Sequence, residues 1–260
     1  MMLSRQYLNR IAAQRTMMQM PMRGIKLHEY QAGALLHKFS VPIPLGNVAF
    51  TPEEAEAEAK KLPGGCVVKS QVLGGGRGLG HFKETGFQGG VHLVDDAAGA
   101  KKIASEMLGK TLITKQAPDG LPVNSVYLVE KVQIEKEMYL SLTLDRAAKC
   151  PTFIYSPAGG TSIEDVAEET PELIFKLQCV PGEELKDADL HQAAKDLGIP
   201  EQADQVATLF KNIHQTFMAK DCDMVEINPL VLTKQGKVLC ADSKVAIDSN
   251  AAFRQKDLAE

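Results

Sequence analysis

The chain has 260 residues, 44% of them hydrophobic and 24% charged, with a formal net charge of −4. That length supports one large domain or two modest ones, each with its own core. The near balance of 29 basic and 33 acidic residues leaves no electrostatic footprint for nucleic acid, and no run approaches the roughly eighteen apolar residues of a membrane-spanning helix. The cysteines (Cys66, Cys150, Cys179, Cys222 and Cys240) are odd in number, scattered and without a Cys-x-x-Cys pair. This argues against a disulfide framework or a zinc site and for a reducing compartment.

The first 23 residues contain no Asp or Glu, while Arg5, Arg10, Arg15 and Arg23 are spread among Leu3, Leu8, Ile11 and six methionines. A basic, acid-free, weakly amphipathic arm has the composition of a mitochondrial transit peptide; the alternative is an unstructured N-terminal extension. The folded part is then expected to begin near Ile25. Residues 25–39 have helical spacing in Leu27, Tyr30, Ala34 and Leu35, and Val41-Pro42-Ile43-Pro44 breaks it. Thr51-Pro52-Glu53-Glu54 opens a second helix with a cap, a first-position proline and acids in the first turn. Residues 66–72 read as a strand running into a glycine loop, and 95–108 as a capped helix. Segments 125–132, 137–145 and 152–157 read as strands. The longest helix is predicted over 202–219, with Val206, Leu209, Phe210, Ile213 and Phe217 on one face. Residues 224–248 read as two strands joined at Lys234-Gln235-Gly236. The irregular alternation of helices and strands favours an α+β fold over a regular βαβ array.

Two constellations could carry chemistry. In Gly74-Gly75-Gly76-Arg77-Gly78-Leu79-Gly80, five of seven residues are glycine, so backbone N–H groups can approach an anion closely. The loop lacks the Gly-Lys-Ser/Thr of a P-loop and the last glycine of G-x-G-x-x-G. Glycines alone would fit a mobile turn equally well. Lys69 adds weight to the other side, because a lysine in an otherwise apolar strand costs desolvation unless an anion meets it. Lys69, Arg77 and the loop together suit a polyphosphate. The second constellation is geometric. If the terminal hairpin has a three-residue loop, Thr233 pairs with Lys237, Asn228 lies opposite Asp242, and Glu226 lies opposite Lys244. Glu226 and Asn228 then share a face. Its amide and carboxylate oxygens suit Mg²⁺, although the pair Glu226–Lys244 alone would read as a solvated cross-strand contact. Glu130 and Glu137 stand where one strand ends and the next begins. A carboxylate at a strand exit could hold a ribose hydroxyl, and it fits a plain surface residue as well. The six histidines show no metal spacing and no nucleophile partner.

In order along the chain, Leu27-His28-Glu29-Tyr30-Gln31-Ala32, Val68-Lys69-Ser70-Gln71-Val72, Gly75-Gly76-Arg77-Gly78, Val166-Ala167-Glu168-Glu169-Thr170-Pro171, Glu226-Ile227-Asn228-Pro229-Leu230 and Phe253-Arg254-Gln255 resemble the β subunit of succinyl-CoA synthetase, whose nucleotide site is an ATP-grasp fold. The resemblance covers nearly everything from Leu27 to Leu258. With the basic arm read from its composition as a targeting segment over 1–24, the resemblance implies an ATP-grasp nucleotide-binding domain over 25–260, with a smaller lobe of about 44–133 inserted in a larger lobe formed by 25–43 and 134–260.

The resemblance also implies roles. Lys69, Gly76, Arg77 and Gly78 are similar to the phosphate-binding lysine and glycine loop, Glu130 to the acid at the nucleotide hinge, and Glu137 to a further nucleotide contact. Asn228 and Asp242 are similar to the two Mg²⁺ ligands. Glu226 is similar to the glutamate that helps hold a phosphohistidine of the α subunit, the partner that also carries the main CoA site. The implied reaction converts succinate, CoA and a nucleoside triphosphate reversibly into succinyl-CoA, diphosphate and phosphate, in the mitochondrial matrix. Pro44 leans the nucleotide toward ATP, with GTP the other form in the family. A stand-alone Mg-nucleotide-binding protein and a malate-type acid–CoA ligase are the alternatives. Two departures stand out. Leu79 replaces the family's usual lysine, and the family continues past Phe253-Arg254-Gln255 into a second domain, so the chain is expected to be a truncated form.

Overall fold

The computed structural model describes residues 24–160 and 163–259; the arginine-rich arm read as a targeting segment lies outside the described residues. The described residues form fourteen strands and seven α-helices in irregular alternation, the α+β character expected from the sequence.

The larger sheet is antiparallel and runs β1 (Gly24–Lys26), β14 (Ser243–Asp248), β12 (Cys222–Thr233), β9 (Ile134–Asp145), β10 (Cys150–Ser156), β11 (Phe175–Gln178), with β13 (Val238–Cys240) also on β12. Residues 25–26, expected to be helical, instead pair in β1 with Ile247 and Ala246. The helix α1 begins only at Glu29 and ends at Lys38. One face of this sheet is apolar. Met138, Leu140 and Leu142 of β9 and Val225 and Ile227 of β12 are buried there. Against it packs α6 (Ala203–Ala219), whose Val206, Leu209, Phe210, Ile213 and Phe217 fall at the spacing of one helical face. Phe210 meets Phe153 with ring centroids 4.5 Å apart, a contact worth about 1 kcal/mol beyond its buried area. The alternation of strand side chains sends Glu226 and Asn228 to the opposite, polar face.

Residues 46–130 build two smaller sheets. The first runs β2 (Gly46–Ala49), β8 (Val126–Glu130), β3 (Cys66–Ser70), β5 (Val91–Val94), and the second β4 (His81–Phe82), β6 (Thr111–Thr114), β7 (Ala117–Pro122). Helices α2 (Pro52–Ala59) and α3 (Ala97–Met107) cover one face of the first. The Thr51 hydroxyl accepts from Glu54 N–H at 3.1 Å and the Asp96 carboxylate from Gly99 N–H at 2.7 Å, the two caps that start these helices. Cys66 and Val68 join the core beneath the helices. Lys69, one residue on, must point the other way, toward the larger sheet.

The chain crosses between the two sheet systems at 44–45 and 130–131, and the crossings are bonded to each other. Leu45 N–H donates to the Glu130 carboxylate at 2.8 Å, and Glu130 N–H donates to Leu45 C=O at 2.8 Å. The C-terminal turn is tied back to the body at Asp221, where the chain leaves α6 with φ +52°. Arg254 donates two hydrogen bonds to its carboxylate, at 2.6 and 2.7 Å, and Gln255 a third at 2.8 Å. All five cysteines are buried thiols. No helix among the described residues is long and apolar enough to cross a membrane.

Candidate functional site

The register inferred from the short loop is the one observed. Leu232 pairs with Val238, Glu226 with Lys244 and Ile227 with Ser243. The second strand is broken into β13 and β14 rather than continuous, with Ala241 and Asp242 at the break. On its other side β12 slips out of register with β9 between Ile227 and Leu230, where Pro229 has no N–H to offer a ladder. Asn228 therefore bonds elsewhere: its N–H donates to Asp242 C=O at 3.1 Å, and its side-chain oxygen accepts from Gly160 N–H at 3.0 Å.

Lys69 does meet an anion, and it is a residue of the protein itself. Its ammonium donates to the Glu29 carboxylate at 2.7 Å and to Ala241 C=O at 2.8 Å. Arg77 reaches the same carboxylate at 2.5 Å, Asp242 at 3.1 Å and Ser70 C=O at 3.0 Å. Gln71 N–H₂ completes the shell on Glu29 at 3.4 Å, while its amide oxygen accepts from Tyr30 N–H at 3.2 Å. Two cations from the smaller sheet system and two carboxylates from the larger one thus form a single interlocked cluster. Glu29 and Gln71 were not singled out as site residues from sequence, although both lie in segments that carried the family resemblance. The one available signal was the unpaired demand of Lys69.

The electrostatics of the four groups differ. Burial alone would raise the Glu29 pKa, but Lys69 and Arg77 outweigh it and hold the carboxyl at about 2. Burial pulls Arg77 the opposite way from Glu29 and Asp242, and the two carboxylates win, keeping the guanidinium charged. Asp242 is pushed up from its usual value, first by burial and then by Glu29, against Arg77, Lys69 and Lys244. The Asp242 side chain is 30% exposed where that of Glu29 is 8%, so Asp242 is the carboxylate open to an incoming group.

The glycine loop is shaped by its own contacts. Gly76 has φ +74° and starts a single 3₁₀ turn over Arg77–Leu79, a backbone region that disfavours a side chain. A Cβ at Gly75 would stand 2.3 Å from the Gln116 amide oxygen, which already accepts Gly75 N–H at 3.1 Å. Gly78 is different: a Cβ there would meet nothing within 4 Å, so the fold itself does not require glycine at that position. Leu79 is almost fully exposed at the tip.

Between this loop and the polar face of the larger sheet lies a cavity of about 1000 Å³, lined among others by Glu29, Gly76, Arg77, Asn228, Asp242 and Lys244. Glu226 stands beside it, its carboxylate accepting from Lys244 at 2.9 Å. Tyr139 is close enough that burial, then Glu226 and Glu164, push its phenol up to about 12. Of the residues expected from sequence, Lys69, Gly76, Arg77, Asn228, Asp242 and Glu226 are brought together here. Glu130 is not: it stands at the crossing, with its carboxylate engaged by Leu45. Glu137 is exposed on β9, beside Gly160, where a Cβ would lie 2.1 Å from its carboxylate. The donor set of Asn228 amide and Asp242 carboxylate is hard oxygen only, which suits Mg²⁺ and not a soft or imidazole-bound metal.

A family model described as the ATP-grasp domain matches residues 26–232. The succinate–CoA ligase [ADP-forming] subunit beta of Rhodopseudomonas palustris is 46% identical over 239 residues, which span 90% of this chain and 60% of that protein. The succinate–CoA ligase [GDP-forming] subunit beta, mitochondrial, of Dictyostelium discoideum is 42% identical over 242 residues, 92% of this chain and 57% of its own length. The chain therefore spans little more than half the length of these curated relatives. Among solved structures, the ATP citrate lyase of Methanothrix soehngenii, in complex with citrate and coenzyme A, aligns with a TM-score of 0.66 at 18% identity. That alignment covers 90% of this chain and 54% of the other. Fold, glycine loop and matched family model agree, and the chain belongs to the ATP-grasp domain family.

Proposed function

We propose that this chain is the nucleotide-binding part of a succinate–CoA ligase β subunit. The observation that carries the reading is the convergence of Lys69 and Arg77 from one sheet system on Glu29, Ala241 and Asp242 of the other, at a cavity that Asn228 also lines and that is large enough for a nucleotide. In this reading residues 44–133 are the smaller lobe, closing on a larger lobe formed by 25–43 and 134–260. Lys69, Arg77 and the N–H groups around Gly76 and Gly78 bind and orient the phosphates. Glu130 and Glu137 contact the nucleoside side of the ligand. Asn228 and Asp242 would hold Mg²⁺, which would supply positive charge to neutralise the transferred phosphoryl group. Positioning and charge neutralisation are the main catalytic tasks in such transfers.

Glu226 then faces the phosphoryl acceptor, a histidine supplied by an α subunit that also brings the CoA site. The overall reaction is the reversible conversion of succinate, CoA and a nucleoside triphosphate into succinyl-CoA, diphosphate and phosphate. ATP is the favoured nucleotide, supported by Pro44 and by the ADP-forming relatives. A mitochondrial matrix location is supported by the basic, acid-free arm and by a mitochondrial relative.

The test mixes the chain with an α subunit, Mg²⁺, ATP, succinate and CoA. The expected result is phosphohistidine on the α subunit. Tight Mg-nucleotide binding without it would replace the ligase reading with that of a nucleotide-binding module.

A further inference from the structure

We propose that Glu29 makes nucleotide binding at this site conditional on a divalent cation, by cancelling the positive charge that would otherwise draw in a metal-free nucleotide. The inference rests on the nucleotide reading above and concerns a residue to which that reading gives no role. Lys69 and Arg77 are the cations that would meet phosphate, and both are already paired with Glu29, at 2.7 and 2.5 Å. Asp242 takes a further share of Arg77 at 3.1 Å. Two positive and two negative groups therefore make up this cluster, which is neutral as a whole, so Lys69 and Arg77 add no net attraction for an anion to that of Lys26 and Lys244 elsewhere on the cavity wall.

Glu29 is built in as a counter-charge and not as a ligand. Its side chain is nearly buried, and it is the first residue of α1. Gln71 bonds both its carboxylate and the next backbone N–H, so the helix start and the carboxylate are fixed together. Gln71 thus ties the carboxylate to the first turn of α1. A metal-free triphosphate would bring several negative charges against two carboxylates, in a site where water screens poorly. A divalent cation at Asn228 and Asp242 offsets that charge, so the pair of ligands and Glu29 act together. Asp242 makes the place for the cation, and Glu29 makes the cation necessary.

The experiment measures ATP binding to the full chain by calorimetry, once with Mg²⁺ and once with EDTA. Glu29→Gln keeps the shape and an oxygen for Lys69 while removing one negative charge. It is expected to tighten metal-free ATP binding by about tenfold and to change Mg-ATP binding much less, so the ratio of the two affinities collapses. Arg77→Gln shifts the cluster the other way: both affinities weaken, and the ratio widens. This second variant keeps the test decisive should Glu29→Gln fail to fold. An unchanged ratio in a folded Glu29→Gln protein, or in Arg77→Gln, overturns the proposal while leaving nucleotide binding intact. No binding of Mg-ATP by the unaltered chain would overturn the nucleotide reading along with it.

Discussion

Glu29 and Asp221 both sit at about 2 on the pKa scale, and both face arginine, yet they reach that state by opposite routes. Asp221 is held down first by hydrogen bonds from Arg254 and Gln255, with little burial to overcome. Its arginine is more than half exposed, at 56%. Glu29 is held down by Lys69 and Arg77 against burial that pulls it up. At Asp221 the charges are a fastening, tying the C-terminal turn to the end of α6, and water can take over much of their work. At Glu29 the carboxylate and both its cations are nearly buried, so each charge depends more on the others. The same pairing is a clip in one place and a balanced, ligand-ready cluster in the other.

The sharpest way to break that contrast is to delete each carboxylate. Glu29→Ala leaves two desolvated cations without their main partner and is expected to lower the unfolding free energy by about 3 kcal/mol in urea titrations. A loss no larger than that at Asp221 would mean that water already screens the cleft. Asp221→Asn, which keeps some hydrogen bonding, should cost about 1 kcal/mol.

Acid provides a second comparison. Both carboxyls are depressed in the folded state, so the stability they contribute is fully present above their unfolded values, 4.5 for Glu29 and 3.8 for Asp221. It is lost as the pH falls through about 2. Glu29→Gln and Asp221→Asn should each flatten the acid limb of a stability-versus-pH curve between about 5 and 2, and a limb unchanged in both would contradict the pairing. The smallest effect expected is that of salt. Raising NaCl to about 1 M should shrink the cost of Asp221→Asn and barely alter that of Glu29→Ala, because screening reaches exposed pairs first.

How far the sequence could be read follows from where each signal is stored. The cross-strand facing of Asn228 and Asp242 was legible because a three-residue loop fixes the register of everything on either side of it. The need of Lys69 for an anion was legible from the apolar strand around it. That Glu29 answers the need was not, since it lies forty residues upstream on another element, and nothing local links the two. Residues 25–26 carry helical spacing with Leu27 and Tyr30, but their backbone groups pair with β14, and long-range pairing overrides local preference. Strand β7 (Ala-Pro-Asp-Gly-Leu-Pro) has two prolines and a glycine, so no strand pattern announces it. Helix α5 (Asp187–Asp196) buries only Leu190, Ala193 and Ala194, too narrow a stripe to stand out in a polar segment.

The mutual bonding of Leu45 and Glu130 has a mechanical consequence. Two separate chain crossings between the sheet systems would let one twist, slide or tilt against the other. Because these two are pinned side by side by a pair of 2.8 Å hydrogen bonds, they join the sheet systems at one place and not at two. Any movement of one system on the other is then expected to pivot there, and it has to break the bonds of Lys69 and Arg77 to Glu29, Ala241 and Asp242, which already span the two.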